Sequence, residues 1–205
     1  MSVATEPRFT LDHFEMPTLP VRRFTVEEYG RMVETGVLVE DDRFELLEGW
    51  IVPKMPKNPP HEVTLVVAQD GIRAPLPVGW HIRNQSSTRT PDSVPEPDLA
   101  IVRGAARDYL GRHPGPQDTA LVVEVADSSL AEDRGIKLRL YARAGYPVYW
   151  IINLVAMIVE VYTDPTGPDA APTYRDRRDF GAGDAVPLVI EGREVGRIAA
   201  RDLLP

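Results

Sequence analysis

Residues 120–125, Ala-Leu-Val-Val-Glu-Val, form an almost unbroken apolar run with a single carboxylate inside it. A short run of this kind reads as a central strand buried on both faces, which calls for covering layers on each side of a sheet. The flanking sequence supplies them. Residues 130–144 have helical character and are stopped by Gly145 and then Pro147, while 148–152 and 157–162 read as further strands. Upstream, strands are expected at 80–84, 86–90 and 97–102, with a polar loop over 103–116. Thr25 and Glu28 form a capping-box pattern that opens a helix over Val26–Glu34, ended by Gly36. Residues 44–52 suggest two short strands about a Glu48-Gly49 turn. Residues 53–60 hold four prolines and cannot be regular, and 61–72, with Val63, Leu65, Val66 and Val67, suits a mostly buried helix. After Thr173 the chain reads as short strands, with a hairpin turn at Glu191-Gly192. Strands, a crossover helix and more strands predict an α/β domain: a mixed β-sheet flanked by helices, with additional C-terminal strands. The expected organisation is an N-terminal arm over 1–23 and a single domain over 24–205.

Glu124 is the anomaly in this pattern. An ionised carboxylate in a core strand is costly unless it is paired or bound to a cation. Asp98 opens a neighbouring apolar strand, and two carboxylates at adjacent strand ends repel unless a cation lies between them. Hard oxygen ligands suit Mg²⁺ or Mn²⁺. Lys137 follows Glu124 by thirteen residues, on the helix that leaves that strand, with Asp133 and Tyr141 four residues to either side on the same helix face. Taken singly, Lys137 is a surface lysine paired with Asp133. Taken together, two acids and a lysine make a constellation for metal-assisted phosphodiester hydrolysis. Replacing Glu124 or Lys137 by alanine is then expected to abolish cleavage and leave the fold intact.

These residues, framed by FELLEGWIV, PPHEV, PEPDLAIV, LVVEVADSS and EDRGIKLRLYARAGYPVYWII, resemble the Uma2 group of restriction endonucleases in the PD-(D/E)XK nuclease superfamily. The resemblance covers residues 24–162 and, more weakly, the strands to Pro205. It implies a restriction-endonuclease-like fold and a Mg²⁺-dependent (or Mn²⁺-dependent) nuclease acting on DNA. Asp98 and Glu124 would hold the metal, Glu45 would complete its shell, and Lys137 would take the place of the lysine that commonly lies two residues after the acid, where this chain has Ala126. His61 falls where the group often has a histidine, and it equally suits a helix start. Asp127 and Asn153 depart from the pattern, and Asp127 adds negative charge beside the proposed site.

Other chemistries lack their signatures. There is no cysteine, the four histidines are dispersed, and neither phosphate-loop nor serine-hydrolase motifs occur. A carboxylate pair for sugar chemistry would want an aromatic platform that is not evident. No secretory leader pattern and no apolar run of membrane length occur, so the expectation is a cytoplasmic protein that meets no membrane. The net charge of −8 argues against nucleic acid at first sight, but residues 1–49 alone hold eleven acids against five bases. Residues 134–143 carry four bases and no acid, and Arg134, Arg139 and Arg143 are candidates for a phosphate track if they share the side of Lys137. DNA binding is therefore expected to be weak without metal and strongly salt-sensitive. A homodimer fits double-strand cleavage. Two alternatives stay open: a catalytically silent nucleic-acid- or protein-binding module on the same fold, and an interaction protein that uses its acidic N-terminal segment.

Overall fold

The computed structural model describes residues 21–39 and 43–205, so the expected arm lies outside the described residues up to position 20. Helix α1 (Val26–Glu34) opens with the capping box: Thr25 Oγ1 accepts the Glu28 N–H at 3.2 Å and the Glu28 carboxylate accepts the Thr25 N–H at 3.0 Å. Strands β1 (Phe44–Leu47) and β2 (Trp50–Pro53) pair antiparallel about Glu48 and Gly49, both at positive φ (50° and 80°). Gly49 is required there, since a Cβ would lie 2.6 Å from the Arg23 Cβ.

Helix α2 spans Pro59–Arg73, which moves its start two residues ahead of the expected one. Pro59 and Pro60 sit in its first turn, where their missing N–H groups cost nothing, and Asn58 caps it by accepting the His61 N–H at 3.1 Å. The buried stripe is Thr64, Leu65, Ala68 and Ile72; Val63 and Val66 face solvent, so the helix is half covered rather than mostly buried.

The main sheet runs β3 (Trp80–Asn84), β4 (Leu99–Arg103), β5 (Thr119–Ala126), β6 (Val148–Asn153), β7 (Ile158–Pro165) and β8 (Tyr174–Gly181), in that spatial order. Only β5 and β6 are parallel, and the crossover between them is helical, as parallel neighbours require. The strand expected at 86–90 does not form. Three nearby prolines remove ladder donors, and its backbone instead bonds to Pro95 and Pro114 carbonyls (2.8 and 2.9 Å). A hairpin of β9 (Ala185–Ile190) and β10 (Arg193–Ala199) closes the chain, with Glu191 and Gly192 at positive φ in its turn.

All eight residues of β5 are buried, and the pleat sends alternate side chains to two cores. Leu121, Val123 and Val125 join Leu65, Ala68 and Ile72 of α2, Trp150, and Val186, Leu188 and Ile198 of the C-terminal hairpin. Val122 and Ala126 join Leu47, Leu140, Tyr141, Tyr149 and Ile151 on the opposite face. Glu124 lies between Val122 and Ala126 and so faces this second core. The crossover is α3 (Leu130–Glu132), a wide π turn over Asp133–Lys137 and α4 (Leu138–Ala144), ended by Gly145 at φ 82°. The expected single helix is thus interrupted in its middle. Among the described residues no helix is long and apolar enough to cross a membrane.

Candidate active site

Four elements converge on one cleft. The Leu99↔Val123 register sets Asp98 across from Glu124, on the same face of the sheet. The π turn brings Asp133 and Lys137 over that face, and β1 adds Glu45, whose neighbour Leu47 anchors the hairpin in the same core. The Lys137 ammonium lies 3.3 Å from Glu124 Oε1, 3.6 Å from Asp133 Oδ1 and 3.9 Å from Glu45 Oε1. The Tyr141 hydroxyl donates to Glu124 Oε1 at 3.0 Å. Asp98 Oδ2 accepts the Val125 N–H at 2.9 Å and lies 3.1 Å from His61 Nε2, and Gln85 donates to Asp98 Oδ1 at 3.3 Å. Glu45 Oε2 accepts the Glu96 N–H at 3.1 Å, and Asp133 Oδ2 accepts the Ser129 hydroxyl at 2.6 Å.

Water does little to screen this group: Glu45, Asp98, Glu124, Asp133 and Lys137 are all between 1% and 8% exposed. One ammonium cannot balance four carboxylates, and like charges about 4 Å apart at a protein-like dielectric repel by roughly 4 kcal/mol. The titration behaviour follows. Burial, reinforced by Asp133, Asp98 and Glu45, pushes Glu124 well above the usual carboxylate range despite the pull of Lys137. Burial raises Asp133 as well, against Lys137 and Ser129. Burial also works against the Lys137 ammonium, but Glu124, Glu45 and Asp133 outweigh it and hold its pKa well above that of an ordinary lysine. Burial opposes charge on Asp98 too, yet the bonds from His61 and Val125 bring it below its usual value. Without a further cation, the lysine is held charged and Asp98 ionised near neutral pH, while Glu124 and Asp133 are each biased towards their protonated forms.

The structure therefore gathers Asp98, Glu124, Lys137, Glu45, Asp133, Tyr141 and His61 in one place. Asp127 also lines the cleft and accepts a bond from the Asn58 amide at 2.6 Å. Asn58 and Gln85, which hold Asp127 and Asp98, carry no sequence signal beyond a capping preference at Asn58. The basic helix face has another use than the phosphate track considered from sequence. Arg139 and Arg143 donate to Glu48 (2.9 Å each), Arg143 also reaches Asp92, and Arg134 donates to Glu160 at 3.1 Å. These arginines pin the crossover to the β1–β2 turn and to β7. At the mouth of the cleft the basic side chains are Arg43, Lys54 and Lys57, of which Lys54 is paired with Glu96. Asn153 supports Glu160, donating to it at 2.7 Å.

Among the described residues no group of three or more His, Asp or Glu side chains is already arranged to hold a metal ion. The donor set still fits a hard divalent cation. It is all oxygen, it carries surplus buried negative charge, and Asp133 Oδ1 is buried without a hydrogen-bond partner. Mg²⁺ in particular is held by one or two carboxylates plus waters and substrate phosphates rather than by a closed protein cage.

Comparison with known proteins agrees with this architecture. A crystal structure described as a putative nuclease belonging to DUF820, from Anabaena variabilis ATCC 29413, superposes with a TM-score of 0.64 at 14% identity, covering 88% of this chain and 97% of that one. At that identity the likeness speaks to the fold. No curated protein matches the chain. The family model described as "Uma2: Putative restriction endonuclease" matches residues 26–197. The chain belongs to the Uma2 family.

Proposed function

We propose that this protein is a divalent-metal-dependent endonuclease that hydrolyses phosphodiester bonds in DNA, on a single domain spanning residues 24–205. The observation that carries the proposal is the buried surplus of carboxylates around Lys137, which an added cation would neutralise. Asp98 and Glu124 would hold the metal, Mg²⁺ or Mn²⁺, with Glu45 able to complete its shell. When bound, such an ion supplies a water of lowered pKa and a clamp on the phosphoryl oxygens. Lys137, held charged by the acids around it, orients the attacking water and offsets charge developing on the phosphate. His61 and Gln85 fix the Asp98 carboxylate, and Tyr141 fixes that of Glu124. Arg43 and Lys57 at the cleft mouth receive the flanking phosphates. So small a basic surface makes DNA binding weak without metal and strongly salt-sensitive.

The test is nicking and linearisation of supercoiled plasmid by the full chain. Cleavage is expected with Mg²⁺ or Mn²⁺, none with chelator, and none from Glu124→Gln or Asp98→Asn. Undiminished cleavage by a clean Glu124→Gln preparation removes the mechanism. One observation favours a second reading, that of a silent binding module: among the described residues no three-ligand group is preassembled. That reading predicts DNA retention by the wild type with no cutting under any divalent metal.

A further inference from the structure

Strand β8 ends the main sheet, pairing with β7 on one side, and among the described residues no strand covers its outer edge. An open edge of this kind is a template for another strand. Its middle, Arg175-Asp176-Arg177-Arg178-Asp179, is exposed throughout, while Tyr174 is buried and donates to the Tyr146 carbonyl at 2.9 Å, which anchors one end of the strand. The order of charges is self-complementary when reversed. If a second copy lies antiparallel with Arg177 facing the partner's Arg177, then Arg175 faces the partner's Asp179 and Asp176 faces the partner's Arg178. By symmetry each pair occurs twice, one kind on each face of the sheet, since facing residues share a face. The facing arginines at the centre are the one like-charge pair. Each is already neutralised within its own chain, by Asp179 at 2.8 Å and Glu160 at 3.3 Å. Available registers differ by whole pleats, because facing residues must share a face and point their backbone groups at each other. The next one sets Asp176 against Asp176 and Arg175 against Arg177; the next the other way sets Arg178 against Arg178 and keeps only two opposite-charge pairs, Arg177 with Asp179, where the Arg177-centred register has four. The same charges that deter promiscuous edge pairing thus favour one register of self-pairing.

We propose that two copies of this chain associate antiparallel through β8, across a two-fold axis at Arg177, joining their six-stranded sheets into one. The inference does not depend on whether the cleft cuts DNA. It would, however, put two clefts in one particle, as double-strand cleavage needs. The absence of native cysteine makes the register testable. Facing Cα atoms in an antiparallel pair lie about 4.5–5.5 Å apart, within disulfide range. Residues four positions out of register lie roughly 14 Å apart along the strand, beyond it.

Arg175→Cys and Asp179→Cys proteins are each oxidised alone and then as a mixture. The expected result is a covalent dimer from the mixture and none from either alone. In parallel, sedimentation at low salt is expected to show the wild type as a dimer. Asp176→Arg/Asp179→Arg and Arg175→Asp/Arg178→Asp are each expected to lose self-association by tenfold or more, and to form a heterodimer when mixed. The heterodimer shows that both variants are folded. A monomeric wild type, single-sign variants that remain dimeric, or a mixture that does not cross-link would each overturn the proposal.

Discussion

Replacing Lys137 by methionine, which is close to it in length and carries no charge, removes the only cation that touches Glu124, Asp133 and Glu45 in the described structure. Alanine at this position was expected from sequence to spare the fold, but burial of the ammonium changes that expectation. Breaking a buried ion pair by deleting one partner costs about 3–5 kcal/mol, because the remaining charge is left uncompensated. For a chain of this size that corresponds to a Tm lower by roughly 6–20 °C. The sign of the pH dependence is fixed by the acids. A carboxyl whose pKa is raised on folding binds its proton more tightly in the native state, so stability is greatest below the unfolded value and falls as pH rises through the folded one. Glu124 and Asp133 are both raised, chiefly by burial. The Lys137→Met deficit should therefore be largest at pH 8 in chelator and shrink towards pH 5 as those acids take up protons. Millimolar Mg²⁺ should recover part of the deficit at pH 8 by supplying a replacement cation. Differential scanning calorimetry over pH 5–8, with EDTA and with Mg²⁺, reads all of this. An unchanged Tm at pH 8 in EDTA would refute the claim that Lys137 neutralises the acid cluster.

Three further expectations follow from the same geometry. Glu124→Gln should lose at least about 100-fold in cleavage, as expected for removal of a transition-state charge partner, while its apo Tm near neutral pH stays level or rises, since burial already disfavours charge at this position and the amide keeps the carboxyl's size. His61→Ala should raise the pKa of Asp98 towards its unfolded value. Asp98 is lowered in the folded state, so its stabilising effect is present above the unfolded value and is lost as pH falls; the variant should lose less stability than wild type on acidification, read by urea melts at pH 7 and pH 3.5. Glu48→Ala should destabilise by about 1–3 kcal/mol, because Arg139 loses its carboxylate partner and Arg143 keeps only Asp92, with the loss visible as a lower urea midpoint.

Much of the layered sheet was legible because its signals are local. The β5 run, the Thr25–Glu28 box, and the two Glu-Gly turns each state their own conformation. The strand expected at 86–90 failed because a β-rich composition says nothing about whether neighbouring prolines can pair with it. Val63 and Val66 misled for a related reason: an apolar side chain in a helix does not reveal which face the sheet covers. In the site, Glu124 stood out because its charge contradicts its strand, and Lys137 because it follows on the crossover. The π turn that carries Asp133 and Lys137 has no periodic signature, since one widened turn leaves the 3.6-residue pattern on either side intact. Asn58 and Gln85 were invisible for want of any local rule: they act on residues 69 and 13 positions away. The destination of Arg139 and Arg143 also depended on a distant partner, Glu48, which only the packed hairpin brings near.

The central claim is that the acid cluster is a divalent-cation site. A crystal soaked in millimolar Mn²⁺ tests it directly through anomalous scattering. The account predicts a peak in contact with the carboxylates of Asp98 and Glu124, and its loss in Glu124→Gln. A cleft without a peak at that concentration, or one unchanged by Glu124→Gln, would contradict it.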